Sequence, residues 1–409
     1  MDTIKKCRSC VCTELIPVLD LGTTPLANSL LRENEINQKE DRFPLNLVFC
    51  PQCSLVQITE TVPKEKLFRE YLYFSSFADT ALENAKSLVN RLIEKWQLNE
   101  KSMVVEIASN DGYLLKNYIE KNVPVLGIEP ALNIAKFAQE KGIPTIAEFF
   151  DLGLARELVK KGTKADVIHA NNVLAHVSSL KEVVEGFSIL LKDTGRAVIE
   201  VPYVRNLVDK IEFDTIYHEH LCYFSVTSVD KLVKQFGLFV EDVELIPIHG
   251  GSLRLFISKV ECKRDVSPEA KRLFKEEAAT INQPQYYLDF TRKVQKLRTD
   301  LLACLKVLKN QGKSIAAYGA SAKGSTLLNF CGIGSETLDF VTDRSVVKQG
   351  WYTPGTHLPI LDPKVLSERM PDYVLLLSWN FSEEILLQQQ DYRKQGGKFI
   401  IPVPEVRIV

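Results

Sequence analysis

Along residues 79–97 the apolar side chains Ala81, Ala85, Leu88, Leu92, Ile93 and Trp96 recur at helical spacing, which predicts one amphipathic helix. Residues 102–107 then form a short apolar run, the length of one buried strand. A helix is predicted from near Gly112, a second strand over 123–129 and a second helix over 133–141. Further strands fit 165–169 and 197–201, with a helix near 180–191 between them. Strands separated by single helices imply parallel β-α-β units with right-handed crossovers, a doubly wound sheet. Such a sheet binds its ligand at the carboxyl ends of the strands, where the strand order reverses.

The alternation returns near the carboxyl terminus. A long helical stretch over 267–311 leads into a strand, a turn of small residues and a helix start across residues 314–326. Strands over 337–342 and 373–378 and a helix near 383–393 complete a second Rossmann-like domain. The helix amino end at Ser321, Lys323 and Ser325 forms a cradle suited to a pyrophosphate, because backbone N–H groups and a lysine converge there. The fold class is therefore α/β, with a small amino-terminal domain before two Rossmann-like ones.

Composition narrows the function. The 409 residues are 45% hydrophobic and 25% charged, as expected of a folded chain with several cores. Lys plus Arg number 51 against 52 Asp plus Glu, so no global basic field favours nucleic acid or anionic lipid. No apolar run reaches the length of a spanning helix, and the start lacks the apolar core of a signal peptide, which predicts a cytoplasmic protein.

Five of the nine cysteines lie in the first 53 residues, and four form the knuckles Cys7-Arg8-Ser9-Cys10 and Cys50-Pro51-Gln52-Cys53. Two thiolates from each turn complete a tetrahedral zinc shell, and a closed four-sulfur shell leaves no position for catalytic water. Cys12 competes with Cys10 as a ligand.

The loop after the first strand of the central sheet reads Glu106-Ile107-Ala108-Ser109-Asn110-Asp111-Gly112, with small residues where a backbone must approach a ligand. Glu129, 23 residues after Glu106, ends the second strand, where an acid can accept hydrogen bonds from both ribose hydroxyls of an adenosine cofactor. S-adenosylmethionine-dependent methyltransferases share this plan, and a nicotinamide-dependent oxidoreductase would keep the same acid. The run 214–225 places Tyr217, His218, Glu219, His220 and Tyr223 within a few residues of a chain that has only six histidines. An imidazole titrating near neutrality, a carboxylate to hold its tautomer and a phenol facing a developing oxyanion suit proton transfer.

Taken together, the cysteine pairs, Leu21-Gly22-Thr23-Thr24-Pro25-Leu26, the residues from Tyr71 to Ser76, the Glu106 to Gly112 loop, Asn171 to His176, Tyr217 to His220 and His249 to Arg254 resemble the sugar C-methyltransferases of deoxysugar biosynthesis. That family methylates a carbon of a nucleotide-linked 4-ketohexose, most familiarly C-3 of a dTDP-sugar. The resemblance implies a structural zinc on Cys7, Cys10, Cys50 and Cys53. It implies methyl-donor contacts at Glu106, Ala108, Asn110, Gly112, Glu129, Glu148, Phe149 and Asn171. It implies a catalytic cluster of Tyr71, His176, Tyr217, Glu219 and His220, with His220 the base and His176 or His218 its substitutes. The nucleotide-sugar falls to the last domain, with Ser321, Lys323 and Ser325 as the cradle and Asp343, Lys348 and Tyr352 on its rim. The implied domains are a zinc-binding domain with a flap over 1–75, a methyl-donor domain over 76–262 and a nucleotide-sugar domain over 263–409. C-5 methylation, a nicotinamide-dependent sugar oxidoreductase and a zinc-bearing nucleic-acid methyltransferase are the rival readings.

Overall fold

The computed structural model describes residues 2–63, 67, 76, 79–247 and 250–409. Tyr71 and His249 lie outside the described residues. The amino-terminal sheet begins with β1 (Ile16–Pro25), β2 (Arg42–Phe49) and β3 (Val56–Ile58), paired antiparallel in that order.

The central sheet is built from β4 (Val104–Ile107), β5 (Val125–Ile128), β6 (Thr145–Ile146), β7 (Ala165–Asn171) and β8 (Leu191–Pro202). All five run parallel in the order β6-β5-β4-β7-β8. The order reverses between β4 and β7, so the carboxyl end of β4 is the place for a ligand. Helices α1 (Asp79–Trp96), α2 (Leu115–Ile119), α3 (Leu132–Glu140), α4 (Leu152–Lys160) and α5 (Leu180–Leu190) cover its faces. Ala85, Leu88 and Leu92 of α1 pack with Val104, Val167 and Val198, as the periodicity predicts.

After β8 the chain does something the sequence pattern did not show. Strand β9 (Cys222–Tyr223) leaves the central domain and pairs antiparallel with β3, becoming the fourth strand of the amino-terminal sheet. Then β10 (Leu238–Ile246) and β11 (Ser252–Lys259) form an antiparallel hairpin, with β11 paired to β8 at the edge of the parallel sheet.

The predicted helix over 267–311 is two helices, α6 (Pro268–Ala279) and α7 (Pro284–Asn310). Pro284 has no N–H to continue a ladder and restricts the residue before it, so it starts a helix rather than sitting inside one. The second sheet contains β12 (Ile315–Tyr318), β13 (Val341–Thr342), β14 (Ile360–Leu361), β15 (Tyr373–Leu376), β16 (Lys398–Ile401) and β17 (Arg407–Ile408), in the order β14-β13-β12-β15-β16-β17. Of the predicted strand 337–342, Val341 and Thr342 pair with β12, Asp339 and Phe340 add a backbone hydrogen bond each to it, and Thr337 and Leu338 donate back to the Gly334 carbonyl in a turn. Helix α8 (Ala322–Cys331) follows β12 and packs against the start of the 214–225 run.

Candidate active site and zinc centre

The four predicted sulfur ligands converge: one ligand atom from each of Cys7, Cys10, Cys50 and Cys53 lies within 4.8 Å of all the others. Cys7 Sγ is 3.4 Å from Cys53 Sγ, and Cys10 Sγ is 3.5 Å from Cys50 Sγ. Zinc–sulfur bonds of about 2.3 Å around a tetrahedron require sulfur separations of about 3.8 Å, so the cluster fits the ion. The two knuckles repeat one backbone pattern. Val11 N–H donates to the Cys7 carbonyl at 3.0 Å and Ser54 N–H to the Cys50 carbonyl at 2.8 Å, and both donors sit at left-handed φ. The Cys7 N–H donates to the Cys12 carbonyl just as Cys50 N–H donates to Leu55. Cys12 thus occupies the place of Leu55, outside the sulfur cluster, and Cys10 is the ligand.

The second knuckle leads directly into β3, and β3 pairs with the end of the 214–225 run. Cys222 pairs with Gln57 and Tyr223 with Val56, while Ile58 N–H donates to the Leu221 carbonyl at 3.0 Å. His218 is buried, and its Nε2 donates to the Pro44 carbonyl of β2 at 3.1 Å. That side chain faces the zinc-stapled sheet. From the opposite side, Trp379 Nε1 donates to the buried Asp214 carboxylate at 2.6 Å, joining the run to the second sheet domain.

His176, at the end of the 3₁₀ turn Leu174–His176, and His220 come together with ring centroids 4.9 Å apart. His220 Nδ1 donates to the Thr215 carbonyl at 2.9 Å, so its Nε2 carries the lone pair, and the Tyr217 hydroxyl lies 3.0 Å from that nitrogen. His176 Nδ1 donates to the Glu219 carbonyl at 2.7 Å, and burial lowers its pKa, so the ring stays neutral near pH 7. One expectation needs correcting. The Glu219 carboxylate does not hold an imidazole tautomer; main-chain carbonyls of Thr215 and Glu219 do that, as carbonyl oxygens accept a proton hydrogen bond in one sense only. The carboxylate instead accepts from Asn28 Nδ2 at 2.7 Å. Sequence reasoning missed both Asn28 and the Asp214–Trp379 contact, since each joins positions far apart in the chain.

The cofactor loop sits at the carboxyl end of β4. Ala108, Asn110 and Gly112 have φ of +51°, +49° and +79°, the alternation that glycines usually supply in such loops. A Cβ on Gly112 would meet Ile143 Cγ1 at 2.7 Å, so glycine is required there. Glu129 Oε2 accepts from Asn110 N–H at 2.8 Å and Oε1 from Ala131 N–H at 2.9 Å, which ties the loop to the end of β5. Glu106 is 1% exposed, and burial together with the neighbouring charges of Glu129 and Asp111 pushes its carboxyl well above the ordinary range. Buried oxygens of Glu106, Ser109, Asp111 and Asn171 have no partner among the described residues. A pocket of crowded acids and unmet acceptors fits a donor that carries a sulfonium, an ammonium and two ribose hydroxyls. Glu148 is exposed and Phe149 half-buried just beyond β6, at the same rim, while Phe150 turns inward and stacks on Phe187 at 5.6 Å.

In the second sheet domain the predicted cradle is partly reassigned. Ser321 caps α8, with its Oγ accepting from Gly324 N–H at 3.2 Å. Asp343 Oδ2 accepts from Ala320 N–H at 2.8 Å, and Lys348 Nζ donates to the Ala320 carbonyl at 2.8 Å. Lys323 lies 5.0 Å from the Trp379 ring, with its charge set against Glu212 and Asp214. Ser325 lines a small depression with Thr24, Tyr217 and His218, and Tyr352 exchanges backbone hydrogen bonds with Leu31.

Against known proteins, the chain is 34% identical over 407 residues to C-methyltransferase NovU of Streptomyces niveus, covering 99% of this chain and 97% of that one. The chain belongs to the C-methyltransferase family. Three family models tile it: a zinc binding domain over 7–68, a methyltransferase domain over 76–243 and a C-methyltransferase C-terminal domain over 247–404. Solved methyltransferases align with parts of the chain. Magnesium protoporphyrin IX methyltransferase of Synechocystis PCC 6803 with bound SAM covers 43% of this chain and 77% of its own, at 13% identity and TM-score 0.33. An S-adenosylmethionine-dependent methyltransferase of Clostridium acetobutylicum covers 44% of this chain and 92% of its own, at 12% identity and TM-score 0.36. The match to NovU and the family models make this chain an S-adenosylmethionine-dependent C-methyltransferase with a zinc-binding domain, whose four cysteines form the cluster described above. No helix among the described residues is long and apolar enough to cross a membrane.

Proposed function

We propose that this C-methyltransferase methylates C-3 of a nucleotide-linked 4-keto-deoxysugar through an enolate, with His220 as base. The observation that carries the reading is the His220 ring: its Nδ1–H is fixed on the Thr215 carbonyl, so Nε2 is a lone pair beside the Tyr217 hydroxyl. A hydrogen on the carbon next to a ketone can be removed by such a base when a donor stabilises the enolate oxygen. Tyr217 supplies that donor once substrate displaces the Tyr217–His220 hydrogen bond. The bound donor supplies a methyl group on a positively charged sulfur. Glu106 in β4 and Glu129 at the end of β5 orient it, and the proton leaves on His220 Nε2. Similarity to NovU supports carbon as the acceptor, and the second β-α-β domain offers Ser321, Asp343 and Lys348 for the nucleotide portion.

The test is turnover of methyl-labelled S-adenosylmethionine against a panel of nucleotide-4-ketosugars, with the product carbon assigned by NMR. Label on C-3 of a dTDP-4-ketosugar supports the reading. Transfer to C-5, to oxygen or to nitrogen, or none with any ketosugar, overturns it.

A further inference from the structure

Asn28 stands three residues beyond β1, on the sheet that the four cysteines staple, and its side chain is exposed. Its Nδ2 nevertheless reaches 2.7 Å from Oε1 of Glu219, a carboxylate 191 positions later that is 7% exposed. We propose that Asn28 is a positioning residue for methyl transfer, setting the direction and ionisation of the Glu219 carboxylate; the proposal rests on the reading that Glu219 belongs to the reacting cluster.

Three observations converge on that role. The Glu219 main chain is already pinned, because its carbonyl accepts from His176 Nδ1 at 2.7 Å. What remains adjustable is the side chain, and Asn28 is the group that fixes it. Burial pushes the Glu219 carboxyl above its ordinary range, and the Asn28 N–H is the influence that draws it back toward the carboxylate. Asn28 in turn has little freedom. Leu30 N–H donates to its carbonyl at 2.9 Å and Ser29 N–H to Leu26 at 3.1 Å, closing a tight turn. Leu31 then exchanges two backbone hydrogen bonds with Tyr352 of the second sheet domain, at 3.0 and 2.8 Å. The amide is thereby clamped between the zinc-stapled sheet and the carboxyl-terminal domain, and points at a carboxylate of the central one.

Through this contact the relative placement of the three units would be felt at Glu219. The amino-terminal module then acts on the chemistry through a specific hydrogen bond, in addition to pairing with β9.

The experiment is a double-mutant cycle on the full-length zinc-loaded protein, with Asn28→Ala, Glu219→Ala and the pair, reading kcat and both KM values. Asn28→Ala alone should lower kcat about tenfold, the effect of one lost hydrogen bond to a charged group, with KM for S-adenosylmethionine unchanged. In the Glu219→Ala background it should cost less than about twofold more, because its partner is already gone. Asn28→Asp, which keeps the shape but opposes a second carboxylate to the first, should lose at least as much as Asn28→Ala near neutral pH. Losses that multiply in the double variant, or an Asn28→Asp enzyme with wild-type kcat, would overturn the proposal. Absence of wild-type turnover with any ketosugar would instead overturn the substrate reading on which it rests.

Discussion

Replacing Glu129 should separate cofactor binding from folding, and its size can be worked from the site. The carboxylate is 5% exposed and already accepts two backbone N–H bonds, from Asn110 and Ala131. Each oxygen retains a lone pair for a ribose hydroxyl. Two hydrogen bonds to a charged acceptor are worth roughly 1.5–3 kcal/mol each before water compensates, so about 3 kcal/mol should be lost net in Glu129→Ala. That is about a 100-fold weaker Kd. Glu129→Gln keeps the shape and one acceptor but loses the charge, and should weaken binding about tenfold. Isothermal calorimetry with S-adenosylmethionine reads both, with circular dichroism as the control for folding. The acidity of the site adds a second readout. Burial raises the Glu129 carboxyl above its ordinary value, and a protonated carboxyl accepts poorly, so wild-type affinity should fall as pH is lowered and Glu129→Gln should lose that dependence. An unchanged Kd in folded Glu129→Ala would mean that the ribose is held elsewhere and would refute the assignment.

Zinc removal by a strong chelator should abolish methyl transfer while S-adenosylmethionine still binds, because the knuckle adjoins β3 and β9 rather than the 106–112 loop. Metal analysis and calorimetry on the same sample check this, and parallel loss of donor binding contradicts it. Burial pushes Asp214 up to about 6 and Glu212 up to about 7. With raised folded values these groups favour the folded state fully below about pH 4 and lose that contribution as pH climbs through 6 to 7. Asp214→Asn, which keeps an acceptor for Trp379, should flatten the fall in urea-melt stability between pH 4 and 8 by about 2 to 3 kcal/mol, and an unchanged slope would contradict the assignment.

Most of the parallel strands were legible because they are apolar runs spaced by single helices, whereas β6, α4, β14 and β16 were not read, and the zinc knuckles were legible because sulfur spacing is itself the geometry. The β10–β11 hairpin was not. Its strands carry Glu241, Glu244 and Arg254, which read as surface, yet Arg196 meets Glu241 at 3.2 Å and Arg254 meets Glu200 at 2.7 Å. Charges matched across neighbouring strands let a polar sequence sit in a half-buried sheet. The loop after β4 hid its character for a different reason. Ala108 and Asn110 adopt the left-handed backbone without being glycine, so the usual motif is absent while the conformation is kept. Glu219 and Asn28 were invisible as a pair because nothing local links positions 28 and 219. The two-residue strand β9 was likewise too short to read, since its partner lies in another unit.

Solvent exchange at the carbon beside the ketone tests the central claim most directly, because it reads proton removal apart from methyl transfer. In deuterated buffer with S-adenosylhomocysteine in place of the donor, wild-type protein should exchange that hydrogen of a dTDP-4-ketosugar, followed by NMR. His220→Asn should bind both ligands yet exchange about 10²–10⁴-fold more slowly, the contribution of a positioned general base. Wild-type exchange in His220→Asn, with loss in His176→Asn, would contradict the account and move the base to His176.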